Sequence, residues 1–282
     1  MGLLATIALA LTAGLLWLGW LRLRDGRDER AEWQRLCALQ PRQPQAFLPD
    51  QVADLPEPAQ RYFRHVILPG ARLWTVGEID MGGQFSLGTR TRPGYRPMQA
   101  RQVLAVPHGF VWRLWLRGGL PISGSDAAGW TRFRVLGLLP VARLGGDADH
   151  ARAAFGRSVA EAVFWTPAAL LPRPGVHWEA IGPDAARVTV QSGTLSQAVE
   201  VRLAPDGCPT EVSFLRWSNA NAERLYRLQP FGGRLSDFHE VAGFRLPHRV
   251  EAGNFWGTPD YFPFYRAEVR AIRFSPLRQT DR

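Results

Sequence analysis

The stretch "GLLATIALALTAGLLWLGWL", Gly2 to Leu21, contains no charged residue. At about 1.5 Å of rise per residue, about twenty helical residues span about 30 Å, the hydrocarbon thickness of a bilayer. Residues 1–24 therefore read as a transmembrane anchor. Trp17 and Trp20 stand at the end of the run, where interfacial aromatics belong, and Arg22, Arg24, Arg27 and Arg30 follow at once. A cleavable signal peptide carries positive charge ahead of its apolar run, and none stands there, so a single-pass anchor in the cytoplasmic (inner) membrane is the expectation. The positive-inside rule points the rest of the chain toward the cytoplasm, but it weakens for long translocated domains, and sidedness stays open.

The net charge is +9, and all 34 basic residues are Arg because Lys does not occur. These arginines alternate with apolar residues, as in "VWRLWLRGG" and "RAEVRAIRF", instead of forming a block. Solvated strand faces account for that spacing better than a nucleic-acid groove, and anionic lipid head groups are the natural electrostatic partner beside an anchor. Cys37 and Cys208 lie far apart, with no CxxC or metal-type spacing and no lipobox before Cys37.

Residues 25–55 read as a charged juxtamembrane helix followed by a proline-rich linker, "QPRQPQAFLPDQVADLPEPAQ". A short helix follows at "PEPAQRYFRHVI", with an apolar stripe of Tyr62, Phe63, Val66 and Ile67. Short runs rich in Val, Trp, Phe and Leu, punctuated by "GG", "RPG" and "GGLP", then mark tightly connected strands. One helix interrupts them, from about Asp149 to Phe164, with Asp147 or Asp149 as its cap. The expected fold is mainly β (α+β): about a dozen antiparallel strands with two or three helices in one domain over 56–275, then a tail over 276–282.

No GxSxG, HExxH, GxGxxG or P-loop signature is present, and neither a metal nor a cofactor is expected. The sharpest catalytic constellation is "GRLSDFHEVAGFRLPHRVEA". A two-residue turn at Ala242–Gly243 pairs Val241 with Phe244, His239 with Leu246, Asp237 with His248 and Leu235 with Val250, and places Glu240 across from Arg245. Asp237 and His248 then meet on the inner face of the sheet with His239 beside them, an arrangement that orients an imidazole base or gives three ligands to a metal, with Glu161 as a further acid. The plainer reading is a satisfied hydrogen bond at a sheet rim.

Aromatic residues are the other candidates, since eleven Trp are many for this length. Trp112, Trp115, Phe164, Trp165, Phe255 and Trp256 fall near turns or helix ends, where they would line the mouth of an apolar cavity. On the helix, Arg157, Glu161 and Trp165 recur every four residues, away from Val159 and Val163. That spacing predicts an Arg157–Glu161 pair on a half-exposed face of a lid helix.

The segments "LPEPAQRYFRHVI", "LGLLPVA", "RSVAEAVFWTPAALLP" and "SDFHEVAGFRLPHR" resemble a bacterial family of membrane-anchored domains of unknown function, over most of the chain after residue 55. The last segment also resembles a hairpin of lipoprotein-sorting carriers of the LolA and LolB type. The resemblance implies a strongly curved antiparallel sheet, an incomplete β-barrel with helices on its concave side and an apolar cavity between. The favoured function is a membrane-anchored module that holds a lipid, acyl chain or other hydrophobic small molecule, with membrane lipid as partner and no nucleic acid. The alternatives are a hydrolase or metal-dependent enzyme built on Asp237, His239 and His248, and an envelope structural domain without ligand.

Overall fold

The computed structural model describes residues 2–274; the tail expected over 276–282 lies outside them. The apolar run and the charged stretch behind it form one continuous helix, α1 (Gly2–Cys37), long and apolar enough to cross a membrane. After a short helix, α2 (Glu57–Val66), six strands run as a meander: β1 (Val76–Ser86), β2 (Tyr95–Ala105), β3 (Gly109–Leu116), β4 (Ile122–Ala127), β5 (Trp130–Val135) and β6 (Leu139–Leu144). Helix α3 (Ala148–Trp165) follows. Seven more strands then return: β7 (Val176–Gly182), β8 (Ala185–Ser192), β9 (Leu195–Leu203), β10 (Pro209–Ser218), β11 (Arg227–Val241), β12 (Phe244–Asn254) and β13 (Phe262–Arg273).

All thirteen strands join one sheet in the order β6-β5-β4-β3-β2-β1-β13-β12-β11-β10-β9-β8-β7. First and last strands meet in the middle, where β1 pairs antiparallel with β13, and β6 and β7 are the free edges. Right-handed strand twist accumulates over so wide a sheet and makes it curl. The result is the expected incomplete barrel, curved but unclosed.

Strand alternation divides the side chains between two environments. Met98, Ala100 and Leu104 of β2 and Phe110, Trp112 and Leu114 of β3 face the concave side, in the main core. Helix α3 lies in that concavity and touches β2, β3, β9, β10 and β12. Its first turn is capped by Asp147, which accepts the His150 backbone N–H at 2.7 Å, and the helix ends before Pro167. Helix α2 packs beside it: the Tyr62 hydroxyl donates to the Val163 carbonyl, and Tyr62 and Phe63 lie against the Trp178 ring at 5.3 and 5.2 Å. The proline-rich segment over 41–55 also contributes to this core, through the fully buried Phe47 and Val52.

The outer face carries a second, smaller cluster: Val76, Val103, Ala105, Val111 and Ala127 lie under Leu36, Trp33 and Cys37 of α1. Several strand arginines that alternation places on this face are paired with α1, not simply solvated. Arg113 forms an ion pair with Glu29 at 2.6 Å, Arg132 bonds Asp28 at 2.8 Å, and Arg132, Arg134 and Arg143 converge on the buried Asp25. Trp33 lies between the Arg113 and Arg101 guanidinium groups, at 4.5 and 5.7 Å.

The β11–β12 hairpin has the register its charge pattern predicts, with Val241 opposite Phe244, Glu240 opposite Arg245 and Arg234 opposite Glu251. Its turn residues Ala242 and Gly243 both adopt positive φ, 53° and 84°. An L-residue with a Cβ is strained there. Replacing Ala242 with Gly is expected to stabilise the protein by roughly 0.5–1 kcal/mol in thermal unfolding; a lower melting point would show that the turn carries no strain.

Candidate functional site

A cavity of about 240 Å³ lies between α3 and the concave face of the sheet. Its floor is a chain of rings that crosses the sheet: Trp112 to Phe85 at 5.9 Å, Phe85 to Phe264 at 5.6 Å, Phe264 to Phe231 at 6.0 Å, and Phe231 to Phe214 at 5.4 Å. Ala160, Phe164 and Trp165 of α3 form its roof. Such rings supply large apolar area at little cost in side-chain freedom.

One side of the cavity is a closed polar network. Arg157 donates through Nε to Glu161 at 2.7 Å, through Nη1 to Asp126 of β4 at 2.8 Å, and through Nη2 to Gln102 of β2 at 3.2 Å. The Gln102 amide, fully buried, donates in turn to Glu161, and the Thr131 hydroxyl donates to Asp126. The guanidinium also lies 4.4 Å from the Phe110 ring and 4.9 Å from the Trp112 ring. Burial works against the Arg157 cation, but Glu161 and Asp126 outweigh it and hold its pKa above the ordinary arginine value.

A second arginine, Arg216 of β10, also lines the cavity, with its guanidinium 5.1 Å from the Phe231 ring. It has no acidic partner among the described residues, and its buried Nε makes no hydrogen bond. Burial, and then repulsion from Arg157, lower its pKa, against a smaller opposing attraction from Asp126 and Glu161.

The Arg157–Glu161 pair forms as the helical spacing predicts, but not on a half-exposed face. Glu161 is 14% exposed and Trp165 1% exposed, because the sheet wraps α3 and encloses this stripe as well as the Val159–Val163 stripe. Of the aromatic candidates, Trp112, Phe164 and Trp165 line the cavity. Trp115 does not: strand alternation puts it on the opposite face, 42% exposed. Phe255 and Trp256 sit in the β12–β13 connection, outside the cavity lining, with Trp256 edge-on to Tyr261 at 4.9 Å.

Asp237, His239 and His248 do come together. The Asp237 carboxylate lies 3.0 Å from His239 Nε2, and the two imidazoles stack at 4.2 Å. The cluster is on the surface, with Asp237 and His239 side chains 50% and 55% exposed, and Glu161 lies elsewhere, in the cavity wall. Asp237 takes a positive φ of 59°, which breaks the regular ladder opposite His248. Among the described residues no group of His, Cys, Asp or Glu is arranged to hold a metal ion. Cys37 and Cys208 are unpaired, and burial above all pushes both thiols up to about 11, so neither is an activated nucleophile.

A model of the family of unknown function DUF6544 matches residues 45–267, the sheet and the cavity together. The chain belongs to the DUF6544 family. No curated protein sequence matches it. Among solved structures, it is similar to a LolA superfamily protein from Nitrosomonas europaea, at 9% identity and a TM-score of 0.39, over 78% of this chain and 93% of that one. It is also similar to a putative outer membrane lipoprotein-sorting protein domain from Vibrio parahaemolyticus, at 9% identity and a TM-score of 0.32, over 70% of this chain and 84% of that one.

Proposed function

We propose that this DUF6544 protein is a membrane-anchored binding module that holds one hydrophobic or amphipathic small molecule between α3 and the concave sheet. The observation that carries the reading is the ring-floored cavity under α3, which core packing to the usual interior density would have filled. Its volume, about 240 Å³, is below the ~300–1,000 Å³ typical of drug-sized ligands. Room for roughly eight water-sized groups suits one medium-length acyl chain and not a bundle of chains.

Two features support the membrane setting. Arg22, at the end of the apolar run, lies beside the β5–β6 connection, where a side chain at Gly137 would meet its guanidinium at 3.2 Å. The same hairpin exposes Leu136, Leu139 and Val141, at 58%, 49% and 57%, so it presents apolar side chains at the level where α1 leaves the bilayer.

Native mass spectrometry of the full chain, released from detergent micelles, is the test. Wild type is expected to carry a lipid or acyl adduct, and Ala160→Phe, which pushes a ring into the cavity roof, is expected to lose it while keeping the wild-type circular dichroism. Absence of any adduct from wild type, or its retention in Ala160→Phe, would overturn the reading.

A further inference from the structure

We propose that the ligand is a single-chain amphiphile with an anionic oxygen head group, a medium-chain carboxylate, and that Arg216 is its anchor. The proposal rests on the cavity being the binding site and adds the chemistry of the head group.

The polar groups of the cavity are unbalanced toward donors. Among the described residues, seven buried side-chain atoms lack a hydrogen-bond partner, and three of them belong to cavity-lining residues: Trp112 Nε1, Trp165 Nε1 and Arg216 Nε. All three are N–H donors with no acceptor capacity. The cavity's acceptors are already engaged. Asp126 and Glu161 are held by Arg157, Thr131 and Gln102, and Glu251 pairs with Arg266 at 3.2 Å. Buried donors are almost always satisfied in folded proteins, and the half-buried Arg216 guanidinium feels only Asp126 and Glu161, beyond ion-pair contact and already engaged by Arg157. A ligand that brings acceptor oxygens and one negative charge satisfies both requirements, and a neutral alcohol or a cationic amphiphile does not.

The two half-buried arginines of the cavity thus have separate roles. Arg157 belongs to the structure, since its donors are committed to Glu161, Asp126 and Gln102. Arg216 has no ion-pair partner among the described residues, and its contact with the Phe231 ring sets it where the aromatic floor meets the polar side. A carboxylate there leaves the alkyl chain to run along the rings. A phosphate head shares the oxygen chemistry, but the small volume favours a head group with one chain attached.

Equilibrium dialysis with radiolabelled probes tests this on the full chain in phosphatidylcholine nanodiscs, with empty nanodiscs to subtract partitioning into lipid. Wild type is expected to bind decanoate at least about tenfold more tightly than decanol, the scale of a charge-assisted hydrogen bond. Arg216→Met is expected to abolish that preference, so that decanoate binds no more tightly than decanol. Because Arg216 has no ion-pair or hydrogen-bond partner among the described residues, the same substitution should raise the ligand-free melting temperature, whereas a structural arginine would lower it. Equal binding of decanoate and decanol by wild type overturns the head-group assignment and leaves the cavity reading standing. Binding of neither probe overturns the cavity reading itself. A preference for monodecyl phosphate over decanoate by more than tenfold overturns the carboxylate and retains Arg216 as an anion anchor.

Discussion

Replacing Asp25 with Ala is expected to release the juxtamembrane half of α1 from the sheet, at a cost of about 3–5 kcal/mol. Asp25 is 5% exposed, and three guanidinium groups from β5 and β6 meet on its carboxylate: Arg143 at 2.7 Å, Arg132 at 3.0 Å, and Arg134. Removing the one anion leaves three cations facing one another on the outer face. The neighbouring Asp28, 43% exposed and paired with Arg132, should cost less than about 1 kcal/mol when replaced by Ala, because solvent screens it.

Cys37 reports the effect. It follows the fully buried Leu36 at the end of α1, beside the outer cluster, and burial, helped by the nearby Glu78 charge, pushes its thiol up to about 11. In a Cys208→Ser background, thiol labelling of the reconstituted full chain at pH 8 reads the open population of α1. A loss of 3 kcal/mol multiplies that population by roughly 150 at about tenfold per 1.4 kcal/mol, so Asp25→Ala should label about two orders of magnitude faster than wild type. Labelling within threefold of wild type would show that the Asp25 cluster does not hold the helix. The outcome bears on function, because a docked α1 ties the cavity-bearing sheet to the apolar run through one rigid helix.

Much of the architecture is legible in the chain because it depends on local periodicity. Alternation in "FVWRLWLRG" separates Trp112 from Trp115, and complementary charges fix the register of the β11–β12 hairpin without any need for the rest of the fold. The i, i+4 spacing of Arg157 and Glu161 gives their pair in the same way. What surrounds each element is a different matter. A helical wheel assigns α3 one buried stripe, but a sheet that wraps the helix buries a second, and nothing within residues 148–165 says how many strands will curl around them.

The cavity shows the same division. Trp112, Phe164 and Trp165 stand out as aromatics near turns, whereas Phe85, Phe214, Phe231, Phe264 and Arg216 come from four strands spread over 180 residues of sequence. Their meeting follows from β13 returning to pair with β1, a long-range closure that no local pattern encodes. The outer arginines illustrate the converse. Their alternation marks a strand face correctly, but the partners that desolvate them lie on α1, about a hundred residues away in sequence.

Arg157 and Arg216 line one cavity, and replacing each with Met is expected to move stability in opposite directions. Arg157→Met leaves Glu161 and Asp126, 14% and 21% exposed, without a counter-ion, and deprives Gln102 of a donor. Breaking a buried pair from one side costs about 3–5 kcal/mol, which for a domain of this size lowers the melting temperature by roughly 10 °C. Adding Asp126→Asn and Glu161→Gln to that variant removes the stranded charges and should recover at least half of the loss. Arg216→Met removes a half-buried cation that has no ion-pair partner among the described residues and feels Asp126 and Glu161 only at longer range, so the ligand-free protein should melt higher. Differential scanning fluorimetry of the four proteins, wild type included, decides the matter. A fall for both single variants would make Arg216 a packing residue, held by its contact with Phe231. A rise for Arg216→Met beside a fall for Arg157→Met means that one arginine holds α3 in the sheet and the other waits for an anion.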